Sequence, residues 1–221
     1  FALMINSDFI IVLAWPEGKT TAAGAWYDSL FATNGKYRVG HSALILINSE
    51  NKELLYFDFG RYHTPIGFGR VRDKETDPDI GIPISAEIEE NKITNIEEIL
   101  LHTSNKEANH GEGKLYASVL KNVNFISSYK FAKKTQEKGI IPYGPFVPKG
   151  SNCSRFVSAT IRNSNTNLIK NLRLRFPFSL SPCPKRNVSI SNNNYYVVEK
   201  NKLEKIKRNK INGYFRGIEK K

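Results

Sequence analysis

The segment Pro142-Tyr143-Gly144-Pro145-Phe146-Val147-Pro148-Lys149-Gly150-Ser151-Asn152-Cys153-Ser154-Arg155-Phe156-Val157 reads as a glycine-bearing turn that delivers a cysteine to the start of a helix. From Ser154 to Arg162 the spacing of Val157 and Ile161 predicts a helix with one apolar stripe. A helix start presents backbone N–H groups without intrahelical partners and the positive end of the dipole. Both favour thiolate over thiol at Cys153, since cysteine pKa falls from ~8.5 to roughly 3.5–7.5 at helix N-termini beside a cation or histidine. The same N–H groups suit an oxyanion. Cys153 could equally be a small buried apolar residue, or half of a bridge to Cys183, the second of two cysteines.

A thiolate nucleophile needs a base, and the base needs a third polar group to hold it. His41 follows Gly40 at the head of an apolar run ending at Ile47, which reads as a strand. The turn-rich Asn48 to Lys52 joins it to Leu54–Phe59, predicting an antiparallel hairpin. The period of two puts Leu55, Phe57 and Phe59 on a core face, and Tyr56 and Asp58 on a face carrying polar groups. Asp58 is then the orienting acceptor for the His41 ring, with Tyr56 as the neighbouring candidate on the same face and an expected substrate contact. His41 could also be a structural histidine satisfied within the fold. His63 is a reserve candidate, and no role is assigned to His102 or His110.

Outward from the hairpin, Phe9 to Leu13 is a strand closed by Pro16 and Gly18, and Ile82 to Ile88 is strand-like. Arg61 to Pro83 is rich in Gly and Pro and reads as an ordered loop. Arg61 and Arg70 in that loop could dock an anionic substrate group. The alternative is internal ion pairing with Asp58, Asp73 or Asp77. Ile96 to His102 fits a helix or a strand, and Phe125, Tyr129 and Ala132 predict a helix ending near Gly139. Strands and helices are segregated, which predicts an α+β fold in one domain over residues 1–198, with a basic tail over 199–221.

The 221 residues carry 33 Lys and Arg against 21 Asp and Glu, a net charge of +12. From Lys200 onward there are nine basic residues against two acidic ones, so seven of those twelve charges belong to the tail. The tail is expected to be a solvated end, or a contact for nucleic acid or anionic lipid. The aromatics lie in core-like positions rather than among the lysines, so no specific nucleic-acid partner is expected. No run approaches the ~20 apolar residues that span a bilayer. Phe9 to Trp15 lacks the basic flank of a signal peptide, and the chain opens on Phe1, which leaves room for an upstream targeting segment. The compartment and the oligomeric state are not legible. Two cysteines and four histidines show no zinc-ligand spacing, so neither metal nor cofactor is expected.

Tyr143-Gly144, Gly150, Asn152-Cys153-Ser154 and Phe156-Val157 together resemble the nucleophile block of NlpC-type papain-like amidases and peptidases. The histidine strand precedes the cysteine helix here, which is similar to the circularly permuted branch that includes lecithin:retinol acyltransferase relatives. With Tyr56 to Tyr62 and Gly69 to Arg72, the stretch from Phe9 to Val188 also resembles an uncharacterised bacterial domain family of that branch. The resemblance implies a permuted papain-like fold with an antiparallel sheet packed on helices. It further implies Cys153 as nucleophile, His41 as base, Asp58 as third member and Tyr143 as a substrate contact. Asn152 stands where the family has Asp, and Arg155 where it has Gly. The implied activity is hydrolysis of a peptide-type amide through an acyl-enzyme. An acyltransferase on the same triad is the sibling reading, and a non-catalytic domain holding an anionic partner is the rival.

Overall fold

Strand β1 (Asp8–Trp15) is apolar along nearly its whole length, and the computed structural model gives the reason: both of its faces are covered. A strand buried on two sides loses the alternation of a half-exposed one. Phe9, Ile11, Leu13 and Trp15 belong to one apolar cluster, and Ile10, Val12 and Ala14 to the other. The structure describes residues 8–21, 36–38, 40–177, 179, 181–209 and 218.

In chain order β1 is followed by β2 (Lys19–Thr21), β3 (Lys36–Arg38), β4 (His41–Ile47), β5 (Leu54–Gly60), β6 (Phe68–Arg72), β7 (Ile88–Glu89) and β8 (Lys92–Ile93). Then come β9 (Leu115–Val123), β10 (Ile141–Pro142), β11 (Tyr195–Glu199) and β12 (Lys202–Ile206). Eight of these form one sheet in the order β10-β6-β5-β4-β1-β9-β11-β12, and its pairings are antiparallel. Five α-helices stand among the described residues: α1 (Ile96–Asn105), α2 (Phe125–Gln136), α3 (Cys153–Arg162), α4 (Leu168–Arg175) and α5 (Pro184–Ser191). Ala132 of α2, Phe156, Val157 and Ile161 of α3, Leu174 of α4 and Val188 of α5 bury one face of the sheet. Ile99 and Leu100 of α1, with Ile80 and Ala86, bury the other. The protein is thus an α+β fold with a large antiparallel sheet packed against helices.

The β4–β5 hairpin forms in the register Ala43↔Asp58 and Ile45↔Tyr56. The face bearing Tyr56 and Asp58 is core as well, because α1 and residues 80–93 cover it. Strand β6 lies inside the stretch expected to be a loop; its Phe-Gly-Arg-Val-Arg sequence offers little apolar alternation, and pairing with β5 makes it a strand. Strand β9 has no counterpart in the sequence reading. Its apolar pattern is interrupted at Ala117-Ser118, small residues without strand preference, and pairing with β1 fixes them, with the Ser118 hydroxyl donating to Val188 O at 2.9 Å. Ile96–His102 resolves as helix α1. Residues 82–88 do not form one strand: Ser85 makes a single bridge to Glu53, and Ile88 enters β7.

The segment expected as a tail begins instead as sheet. Lys202–Ile206 pairs along the whole of β11, so residues up to Ile206 belong to the folded unit. Residues 210–217 and 219–221, the rest of the expected tail, lie outside the described residues.

Candidate active site

His41 is placed by a turn that only glycine fits. Gly40 has φ +63°, and a Cβ on it would lie 2.4 Å from the Trp15 carbonyl oxygen and 2.7 Å from Pro16 Cα. Its N–H donates to Gly18 O at 2.9 Å, fixing the chain as it enters β4. The imidazole then lies stacked against the Trp15 ring, with centroids 5.8 Å apart, and meets the edge of Tyr62 at 6.4 Å. Gly40→Ala is expected to destabilise the fold by about 1–3 kcal/mol through backbone strain. Urea unfolding will show the lower midpoint, and Cys153 will lose reactivity along with it.

Asp58 is fully buried and four hydrogen bonds converge on it. Its Oδ2 accepts from His41 Nε2 at 3.1 Å, from the Tyr56 hydroxyl at 3.2 Å and from Arg72 Nη2 at 2.6 Å, while Oδ1 accepts from Arg72 Nε at 3.0 Å. Arg72 faces Asp58 directly in the β5–β6 register. The Tyr62 ring covers the Arg72 guanidinium at 3.4 Å and stacks on His110 at 5.1 Å. Burial alone would raise the Asp58 pKa, but the hydrogen bonds from His41 and Arg72 outweigh it and hold the carboxyl below the usual range.

Cys153 enters from the opposite layer, as the first residue of α3. Asn152 caps this helix, its Oδ1 accepting the Arg155 N–H at 2.8 Å. The asparagine therefore does locally what an aspartate would do in the same place. Asn152→Ala is expected to lower stability by about 1 kcal/mol, read as a shift in the denaturant midpoint. Arg155 reaches back to the preceding loop, its Nη1 donating to Gly144 O at 3.1 Å and lying 3.4 Å from Pro145 O and Val147 O. From α5, Asn187 Nδ2 donates to Ser154 O at 2.8 Å, pinning the first turn of α3.

With Nε2 of His41 on Asp58, the imidazole also acts on the Cys153 sulfur, as a hydrogen-bonding and charged neighbour. The Ser42 backbone N–H and the Ser154 hydroxyl, 3.9 Å from Sγ, also approach the sulfur. Burial would raise the thiol pKa; the hydrogen bond and charge of His41 overcome it, and the pKa is lowered. Burial likewise opposes charge on His41, yet its hydrogen bonds to Asp58 and Cys153 raise it to about 9. Both shifts favour an imidazolium beside a thiolate, with the Asp58 carboxylate on the other side of the ring. Cys153 and Cys183 are both free, so the bridge considered from sequence does not form.

The other expected residues divide. Tyr56 is buried with its hydroxyl on Asp58, so it positions the carboxylate rather than meeting a ligand. Arg70 makes a two-pronged pair with Asp77, both contacts 2.7 Å, and its Nε donates to Tyr62 O, so its guanidinium holds the loop instead of awaiting an anion. Tyr143 stacks on Phe59 at 5.9 Å, and Phe59 in turn packs on Phe156 of α3. Arg61 lies over the Tyr143 ring at 5.4 Å, so these two stay together beside the α3 entrance. His63 is exposed in the turn before β6. Arg72, Tyr62 and Trp15 were missed as site residues. The signal for Arg72 was its place two residues beyond Arg70, which a strand reading of 68–72 would have set opposite Asp58.

Among the described residues no helix is long and apolar enough to cross a membrane. No curated protein matches the chain. Among solved structures it is similar to the crystal structure of the type VI secretion system effector TseH, at a TM-score of 0.59 and 19% identity, over 90% of this chain and 97% of that one. At that identity the likeness is one of fold. The family model described as type VI secretion system effector TseH-like matches residues 10–169, a span holding most of β1, the His41–Asp58 hairpin and the whole of the Cys153 helix. By that match the chain belongs to the TseH-like family of type VI secretion system effectors.

Proposed function

We propose that the protein is a cysteine hydrolase of peptide-type amides, built as a circularly permuted papain-like enzyme. The observation that carries this reading is the His41 imidazole bound on one side to Asp58 and on the other to the Cys153 sulfur. The Cys153 thiolate attacks the substrate carbonyl carbon. The electron pair of the C=O bond moves to oxygen, where the Cys153 N–H at the α3 start is the first donor to meet it. As the tetrahedral intermediate collapses, the C–N bond breaks and His41 gives its proton to the departing amine. Neutral His41 then takes a proton from water, whose oxygen attacks the thioester, and the acid leaves with the thiolate restored. Asp58 holds the ring and its charge through the cycle. The order of elements, histidine strand before cysteine helix, supports the permuted arrangement.

The test is to trap the acyl-enzyme. With p-nitrophenyl acetate as probe, a burst of one nitrophenolate per chain and an acetyl mass on the peptide containing Cys153 are expected, followed by release of acetate. Peptide p-nitroanilides then report amide cleavage. An acetyl group found elsewhere, or no burst, would refute the reading. Transfer of the acetyl group to an added amine in preference to water would reassign the enzyme as an acyltransferase.

The iodoacetamide profile offers a second check. The thiolate form alkylates, so a thiol slows about tenfold for each pH unit below its pKa. Because His41 lowers the Cys153 pKa, alkylation of Cys153 should hold its rate to lower pH in the parent than in His41→Ala.

A further inference from the structure

Helix α4 carries most of its apolar side chains on the outside. Eight large apolar side chains are exposed among the described residues, and four of them are Leu168, Ile169 and Leu172 of α4 and Phe176 at its end, each between 49% and 74% exposed. Leu168, Leu172 and Phe176 recur at intervals of four with Ile169 beside them, so the four share one stripe. Of the helix only Leu174 is buried, in the core beneath it. Lys170 meanwhile is half-buried, its Nζ donating to Ser191 O at 2.8 Å. A lysine turned inward and three aliphatic side chains turned to water is the reverse of an ordinary surface helix, whose apolar stripe faces the core. A contiguous exposed apolar patch of this kind marks a contact surface.

The charge around the stripe says what it meets. From Lys138 to Val198 the chain has nine basic residues and no Asp or Glu, and α3, α4 and α5 all lie in that stretch. Residues 1–137, by contrast, carry 15 Lys and Arg against 18 Asp and Glu. The helices on the cysteine side of the chain therefore form its positive part, and an occupant of the stripe has to be negative as well as apolar. Arg175, exposed in the last turn of α4, lies over the Phe176 ring at 5.6 Å, so a cation and an aromatic ring stand together at one end of the stripe.

Size separates the possible occupants. A helix of eight residues is about 12 Å long. A stable protein interface buries about 800 Å² on each partner, well beyond what a stripe of that length offers. A lipid surface sets no such threshold: a few apolar side chains enter the headgroup boundary, and anionic headgroups attract the Lys and Arg around them. We propose that the α4 stripe is a docking surface for an anionic lipid bilayer. Leu168, Ile169, Leu172 and Phe176 enter the boundary layer, and the basic residues stay among the headgroups. The Ser158 hydroxyl of α3 donates to Leu174 O at 2.9 Å, so the docked helix is tied to the one that begins at Cys153. The docking surface does not depend on the cysteine chemistry.

Co-sedimentation of the full chain with vesicles tests this, with pure phosphatidylcholine on one side and a three-to-one mixture with phosphatidylglycerol on the other. The chain should pellet with the anionic vesicles, less so as salt rises, and stay in solution with the neutral ones. The triple variant Leu168→Gln, Ile169→Gln, Leu172→Gln should bind the anionic vesicles at least about tenfold more weakly. Its thermal unfolding should match the parent's, because these side chains lie outside the core. Phe176→Trp should add a blue-shifted emission on anionic vesicles, and the absence of that shift would place the stripe outside the bilayer and overturn the proposal. Undiminished binding by the triple variant would overturn it too, since the basic stretches alone would then hold the vesicle. So would no binding to anionic vesicles, or equal binding to both kinds. A self-association in sedimentation velocity that the triple variant abolishes would give the face to a second copy of the chain instead.

Discussion

Cys153→Ala and His41→Ala will each lower p-nitrophenyl acetate turnover by about 10³-fold or more, and the double variant will be little worse than either single one. The non-additivity follows from the geometry: sulfur and ring form one ion pair, and removing either member removes the reactive state. On a peptide p-nitroanilide, whose amine leaving group needs a proton, the pH profile of the parent gives the sign of each limb. Activity should rise with pH through the lowered thiol pKa, because only the thiolate attacks. It should fall as pH passes about 9, where His41 loses the proton it delivers to the leaving group. A profile rising to pH 10 without a descending limb, or full activity in His41→Ala, would remove the imidazolium from the mechanism.

Asp58→Ala will destabilise the fold by about 3–5 kcal/mol, the usual loss when one member of a buried ion pair is removed. The carboxylate is fully buried, and Arg72 is 3% exposed, so deleting the acid leaves a guanidinium in the core with its main partner gone. Arg72→Met should cost less, because His41 and Tyr56 still hold Asp58. The double variant should lose less than the sum of the two, since the stranded charge is gone. Urea unfolding of the four proteins measures this cycle; additive losses would refute the pairing. The pH dependence has a definite direction. The folded Asp58 pKa lies below the unfolded value of ~3.9, so its contribution is complete above that value and is lost as pH falls through the lowered one. The parent should therefore lose stability in acid more steeply than Asp58→Ala.

The hairpin and the cysteine helix were legible because each is a local pattern. Two apolar runs around a polar turn can hardly be anything else, and a cysteine three residues after Gly150 with Val157 and Ile161 behind it marks a helix start. The pairing of His41 with Asp58 followed from the hairpin register alone. What stayed hidden depends on partners distant in sequence. Arg72 looked like one of several arginines in a loop until β6 was paired with β5, and that pairing turns it toward a carboxylate and away from solvent. Arg70 and Tyr56, read as ligand contacts, are consumed inside the protein for the same reason. Strand β9 could not be read because Ala117 and Ser118 have no preference that survives without β1. Lys202–Ile206 was read as tail because only Leu203 and Ile206 are apolar among its charged residues, and these two pack on opposite faces of the edge strand.

The position of β1 has a consequence for how the chain comes together during synthesis. The strand is made before both of its neighbours, and Phe9 must pair with Ile47 on one side and with Lys121 on the other. Until β9 leaves the ribosome, an oily ribbon with one open edge waits for its second neighbour, and such a ribbon invites chaperones or self-association. The cysteine helix follows β9 in the chain, so the surroundings that lower the Cys153 pKa are assembled only after the sheet's central strands have been made.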